Sequence, residues 1–337
     1  MNTLLPTVRQ DYTPLPMEPP FLLVDLDRAA PATPGGQRVR VAVAAEPRPV
    51  DGEFDVLITA APDPPRPWVP SADPYTTAHQ LQETVTRRPD ACLALVQVLR
   101  LGPALAPSDR LIVESLAYSA LQAGAAFRAW LASAPARAPR PAARPVRLRR
   151  DGARLTVTLD RPWVRNAFDA ATRDALCEAL EVAVADPTIA RVDLYGSGPD
   201  FCSGGDLAEF GTARDPAAAH RVRVHRSPAA LLQDCAAKVT AHLHGACVGA
   251  GIELAAFAGR VTAAPDTVIR LPEIGMGLIP GAGGTASLPV RIGRERTAYL
   301  ALTGAPLTAL EAQRWGLVDE IDAGPGRPRA ARIDAGD

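Results

Sequence analysis

Two glycine-rich turns carry the residues best placed to do chemistry. Phe201-Cys202-Ser203-Gly204-Gly205-Asp206-Leu207 follows a predicted strand, and Gly245-Ala246-Cys247-Val248-Gly249-Ala250-Gly251-Ile252-Glu253-Leu254 lies at a strand-to-helix junction. Glycines at such places let the backbone approach a ligand with its N–H groups turned inward. Two N–H groups converging on one point make an oxyanion hole, which stabilises charge growing on a carbonyl oxygen. A helix N-terminus behind one of them adds the positive end of its dipole. Taken singly, each turn reads more readily as an ordinary tight turn, and a lone glutamate as a solvated charge. A dinucleotide-binding reading fails, because Gly249-Ala250-Gly251 lacks the third glycine at the required spacing; no phosphate-binding lysine follows either. His242 and His244 share one strand face at i, i+2 spacing, but no third ligand candidate accompanies them, so no metal site is expected.

These turns need strands and helices behind them. Leu155–Leu159 reads as a strand ending at Asp160-Arg161-Pro162, and a helix capped by Asp169 runs through Leu176, Leu180 and Val184 to Asp186-Pro187. Val192–Gly196 is the next strand, then comes the first glycine turn and a helix; Val239–Leu243 is strand-like and leads to the second turn, with a helix opening at Gly249. Strand, helix, strand, turn and helix in succession predict an α/β domain with crossover connections. Upstream, Ala134–Pro145 holds four prolines among alanines and arginines and cannot form a helix or a central strand, so it is taken as a linker. Before it, Phe21–Leu26, Val39–Val43 and Asp55–Thr59 read as strands. Helical periodicity follows through Leu93, Val96 and Leu99, then from Leu111 through Leu121 to Phe127 and Trp130. The organisation expected is an N-terminal α+β segment over 1–133, a linker over 134–145, a catalytic domain over 146–322 and a disordered tail over 323–337.

In combination and in this order, the motifs resemble the enoyl-CoA hydratase/isomerase (crotonase) family. Phe201–Leu207 looks like its first oxyanion turn and Gly249–Ala255 its second. Leu271-Pro272-Glu273-Ile274-Gly275-Met276-Gly277-Leu278-Ile279-Pro280-Gly281-Ala282-Gly283-Gly284-Thr285 is similar to the segment carrying the family's other catalytic glutamate. Leu302-Thr303-Gly304, Ala309–Ala312 and Trp315–Glu320 continue the match, which covers Val146 to Ile321. The resemblance implies a crotonase-like ββα superhelix with an additional N-terminal α+β segment, read either as a degenerate or rearranged crotonase-like piece or as an unrelated helical add-on. It puts the oxyanion donors at the N–H groups of Ser203 and Ala250 and the acid/base pair at Glu253 and Glu273. In that mechanism one ionised glutamate takes a proton from water while the other, protonated, delivers one to the α-carbon. Two neighbouring carboxyls cannot both ionise easily, so their pKa values split. Substrate contacts are implied at Arg165, Ala167, Cys202, Gly204, Asp206, Leu207 and Gly249. Asp206 is also suited to ordering its own turn. Cys202 and Cys247 are assigned to packing, because the family's chemistry uses no cysteine nucleophile.

Composition limits the alternatives. The 337 residues are 47% hydrophobic, with 36 basic against 37 acidic side chains and a formal charge of −1. Neither nucleic acid nor an anionic membrane is expected as a partner. Five scattered cysteines without CxxC spacing indicate neither a disulfide framework nor a zinc site. No basic start followed by an apolar run opens the chain, and no apolar stretch approaches membrane-spanning length, so a soluble cytoplasmic protein is expected. The expected partner is an acyl-CoA thioester, with coenzyme A entering as part of the substrate and no further cofactor. By the resemblance, the assembly is a homo-trimer or hexamer. The family's C-terminal helices are not matched after Gly316-Leu317-Val318, whereas Glu114–Ser119 and Phe127–Leu131 resemble them; the N-terminal helices are therefore expected to stand in, from the same chain or a neighbouring subunit. Retention of both glutamates favours hydration of a 2-enoyl-CoA. Double-bond isomerisation, cofactor-free arylacetyl-CoA dioxygenation and a non-catalytic pseudoenzyme subunit stay open.

Overall fold

In the computed structural model, which describes residues 18–28, 37–50, 54–135 and 137–322, the N-terminal strands pair into a parallel sheet. β1 (Phe21–Asp25), β2 (Val39–Ala44), β3 (Val56–Thr59) and β4 (Val69–Pro70) lie in sequence order. Strand period explains the burial of β2, whose six residues are all buried. Val39, Val41 and Val43 face the main core, while Ala42 and Ala44 join a smaller cluster with Phe54, Leu57 and Trp68 on the other face. Four helices follow: α1 (Pro74–Arg87), α2 (Pro89–Leu101), α3 (Pro107–Gln122) and α4 (Ala125–Ser133).

Two of these helices differ from the sequence expectation. The helical periodicity that begins at Leu93 does not reach back to α1. Its start signals are Asp73, which caps the Thr76 N–H at 3.0 Å, and Pro74 in the first turn, where no N–H is missed. The helix expected to run on through Phe127 and Trp130 is instead broken at Gly124. There the N–H turns back to Leu121 O at 2.9 Å and α4 starts anew. Residues 137–145 form neither helix nor strand. The tail beyond 322 lies outside the described residues.

The second half begins with a hairpin of β5 (Val146–Asp151) and β6 (Arg154–Leu159). It continues through α5 (Ala170–Ala185), β7 (Arg191–Gly196), α6 (Pro216–His225), α7 (Pro228–Asp234), β8 (Val239–Leu243), β9 (Ala246–Val248), α8 (Ala250–Ala255), β10 (Arg260–Ala263) and β11 (Val268–Arg270). It closes with α9 (Gly284–Ile292), α10 (Arg294–Thr303), β12 (Leu307–Thr308), α11 (Ala309–Trp315) and β13 (Glu320–Ile321). One sheet runs β13-β10-β8-β7-β6-β5, parallel except at the hairpin; a smaller one runs β12-β11-β9. As expected, Asp169 caps α5, accepting from Thr172 N at 2.7 Å.

Arginines fasten the halves together across one shared core. Within the first half, Arg100 on α2 grips buried Asp55 through Nε at 2.9 Å and a terminal nitrogen at 2.5 Å, and Asp55 also accepts Arg40 N at 2.8 Å. On α10, buried Arg296 donates to Trp68 O at 3.0 Å and Pro64 O at 2.8 Å with its guanidinium over the Trp315 ring. Arg88 reaches Gly275 O at 3.3 Å. Replacing Arg100 by methionine strands the Asp55 carboxylate, so urea denaturation should show a loss of about 3–5 kcal/mol. The double variant Arg100→Met with Asp55→Leu should recover most of that loss.

Candidate active site

The two glycine turns meet because Cys202 and Cys247 form a parallel bridge. Val248 N donates to Cys202 O at 2.9 Å, and Cys202 N to Ala246 O at 3.1 Å. Both thiols are fully buried, which pushes Cys202 up to about 12 and Cys247 well above the ordinary range. Neither can supply a thiolate near neutral pH; they are packing residues.

A second bridge, Phe168 to Gly205, sets the first turn. Phe168 N donates to Gly204 O at 2.8 Å and Asp206 N to Phe168 O at 2.9 Å. Between them, the Gly205 N–H meets no acceptor among the described residues, and neither does the N–H of Ala250 at the start of α8. Gly205 and Ala250 both line a cavity of about 690 Å³. The Ser203 N–H does not serve there, and the expectation is corrected: it donates to Arg165 O at 2.9 Å, and Ser203 is absent from the cavity wall. Sequence spacing could not separate Ser203 from Gly205; the pairing of the turn does.

Other implied contacts also move. Arg165 holds Asp200 through Nε at 2.6 Å and a terminal nitrogen at 3.1 Å, and does not line the cavity. Ala167, Cys202, Gly204, Leu207 and Gly249 lie outside the wall as well. Asp206 lines it, but its side chain accepts from Arg161 at 3.0 Å and from Ala208 N at 3.0 Å, ordering its own turn. His242 is taken up by Asp193 at 2.7 Å and by stacking on Tyr195.

The glutamates converge. Glu253, in the single turn of α8, is buried, and its Oε2 accepts Ala282 N at 2.7 Å and Gly284 N at 2.9 Å. Its Oε1 makes no hydrogen bond among the described residues, and the residue lines the cavity. Glu273, at the start of a 3-10 turn over 273–276, also lines it, and its Oε2 is buried without a partner. Gly249 is the residue that admits this side chain. It has φ +48°, and a Cβ there would stand 2.5 Å from Glu273 Oε1.

A third carboxyl, missed in the sequence, enters from the N-terminal half. Glu114 on α3 is buried; its Oε1 accepts Gly283 N at 2.7 Å, and its Oε2 accepts Thr285 N at 2.8 Å and Thr285 Oγ1 at 2.6 Å. Tyr118, one turn along, also lines the cavity beneath the Arg223 guanidinium of α6, 4.9 Å from its ring. The available signal was a carboxyl on the apolar stripe Leu111, Glu114, Tyr118, Leu121.

Burial raises all three acids. Glu273 is pushed up to about 8, with repulsion from Glu114 adding; Glu114 rises to about 7 despite donors from Thr285 and Gly283. Glu253 is held well above the carboxylate range by burial and by repulsion from Glu273 and Glu114, against the pull of the Ala282 and Gly284 N–H groups. Each of these acids holds its proton to a higher pH in the folded chain than in the unfolded one. Stability is therefore fullest below about pH 4.5 as far as these groups contribute, and falls as pH rises toward about 8. Urea midpoints of wild type should fall between pH 5 and pH 8, and Glu273→Gln should flatten that fall.

A family model described as enoyl-CoA hydratase/isomerase matches residues 150–325, more than half of the chain. Among curated relatives, a 2,3-dehydroadipyl-CoA hydratase of Escherichia coli is 35% identical over 167 residues, 50% of this chain and 65% of that protein. An enoyl-CoA isomerase/hydratase of Mycosarcoma maydis is 32% identical over 177 residues, again 50% of this chain and 65% of that one. The chain thus spans a little under two thirds of these relatives' length. Among solved structures, an enoyl-CoA hydratase of Thermoplasma volcanium superposes with TM-score 0.50 at 33% identity, covering 54% of this chain and 73% of that one. No described helix is long and apolar enough to cross a membrane.

Proposed function

Since the chain belongs to the enoyl-CoA hydratase/isomerase family and shares the crotonase fold, we propose that it acts on an acyl-CoA thioester and adds water across a 2-enoyl double bond. The observation that carries this reading is the pair Glu253 and Glu273 on one cavity wall beside two unclaimed backbone N–H groups, Gly205 and Ala250. The thioester carbonyl oxygen would accept from those two N–H groups, which hold the negative charge as the enolate forms.

The two carboxyls are unequal. Two N–H donors on one oxygen of Glu253 favour its ionised form, whereas Glu273 Oε2 has no donor at all. The charge is accordingly assigned to Glu253 and the proton to Glu273, although the pair titrates as a unit. Glu253 takes a proton from water as its oxygen attacks the β-carbon, and Glu273 gives its proton to the α-carbon. Arg173, Arg214 and Arg226 also line the cavity and supply cations for the phosphates of coenzyme A.

Loss of enone absorbance on mixing with crotonyl-CoA or longer 2-enoyl-CoAs tests the reading. Turnover should fall on the order of 10²–10⁴-fold in Glu253→Gln and in Glu273→Gln. Ala250→Pro removes one oxyanion donor at a first helical position, which tolerates proline, and should cost on the order of 10²–10³-fold in kcat. Binding of these thioesters without hydration of any of them overturns the hydratase assignment; conversion of a 3-enoyl-CoA would then identify an isomerase.

A further inference from the structure

Four consecutive backbone N–H groups at the entry to α9 are shared alternately between two glutamates. Ala282 and Gly284 donate to Glu253, while Gly283 and Thr285 donate to Glu114. Successive amides in this turn therefore point to opposite sides, and each carboxyl fixes the side that the other uses. Both oxygens of Glu114 are consumed in the process, so it has little capacity left for substrate. Of the two, Glu253 keeps an oxygen without a hydrogen-bond partner among the described residues. We propose that Glu114 is a positioning residue: by holding Gly283 and Thr285 it sets the turn whose alternate N–H groups orient Glu253 toward the reacting atoms.

A simple helix cap would account for Glu114 only as stabilisation of α9. The alternation makes a different claim, because a shift of Gly283 and Thr285 must carry Ala282 and Gly284 with it. A misplacement of about 1 Å at a catalytic group can cost on the order of 100-fold in rate. Charge follows the same route. Glu114 is faced by Glu253 from α8, Glu273 from the 273–276 turn, Tyr118 from its own helix and Arg223 from α6, with His220 of α6 bonded to the adjoining Ser115. Ionised Glu114 opposes ionisation of the other two glutamates, so removing its charge lets both ionise at lower pH.

The proposal rests on the hydratase reading for its kinetic arm only, and amide hydrogen exchange supplies an arm that needs no turnover. In the full chain, Glu114→Gln keeps the shape but presents an NH₂ where an acceptor is needed, and Thr285→Val removes one donor to Glu114. Exchange at residues 282–285 should quicken in both, more in Glu114→Gln. With crotonyl-CoA, kcat of Glu114→Gln should fall on the order of 10- to 100-fold with KM nearly unchanged, and both limbs of its pH profile should move to lower pH. A Glu114→Gln protein that melts earlier but keeps kcat, limb positions and amide protection overturns the proposal. A rise in KM alone does so too, marking a substrate contact instead. Should Glu114→Gln fail to fold, Thr285→Val decides by the same readouts. If wild type hydrates no 2-enoyl-CoA, the functional reading falls while quickened exchange still supports the positioning role, and unchanged exchange removes it.

Discussion

Three carboxyl groups desolvated in one cavity set the terms for the rest of this molecule. An isolated buried carboxylate costs several kcal/mol, and neighbouring ones repel, so each needs a donor, a proton or a counter-charge. The chain meets this with the backbone of residues 282–285, whose N–H groups serve Glu253 and Glu114 alternately, and with the Arg223 guanidinium facing Glu114. Glu273 has no donor for its buried Oε2 among the described residues. Unequal donors of this kind push the pKa values of like side chains apart.

Supplying the donors requires close backbone approach. Tyr118 packs its ring where a Cβ on Gly281 would stand, at 2.4 Å, so α3 can sit directly against the strip leading into α9. Ser115 and Ser119 hold α3 to α6 through Arg223, whose Nε lies 3.0 Å from Ser115 Oγ. One wall of the cavity is thus built from the first 133 residues and the other from the second half of the chain. The Arg296 contacts to Trp68 and Pro64 keep the two in register. The N-terminal half contributes Glu114 and Tyr118 to the cavity wall.

Much of the second half was legible in the sequence because its signals are local. Asp169 caps its helix, the strands from Leu155, Val192 and Val239 alternate, and the motifs around Glu253 and Glu273 occur in family order. What the sequence hid depends on pairing across distance. Whether Ser203 or Gly205 offers a free N–H is decided by which of them meets Arg165 and Phe168. Arg165 looked free in the sequence and proves to be bound by Asp200. Glu114 could be read as a surface charge until α3 was placed, since its partners lie 169 and 171 positions away. The break at Gly124 was visible as a residue and overlooked beneath the apolar period on either side of it.

That separation has a consequence for how the protein comes into being. On a ribosome, α3 emerges well before the amides that satisfy its inward carboxyl; at about 5–20 residues per second the wait is roughly 10–30 seconds. During that interval Glu114 has no backbone partner to fold against, and the apolar stripe beside it lacks the α9 surface that covers it. The N-terminal sheet can pair as soon as it is made and α3 can meet α6 once that helix follows, whereas the α9 face of α3 stays uncovered until the last quarter of the chain arrives. Completion of the cavity wall is therefore deferred to the end of synthesis, and a nascent chain stalled short of residue 283 would leave the Glu114 carboxyl without the amides that satisfy it.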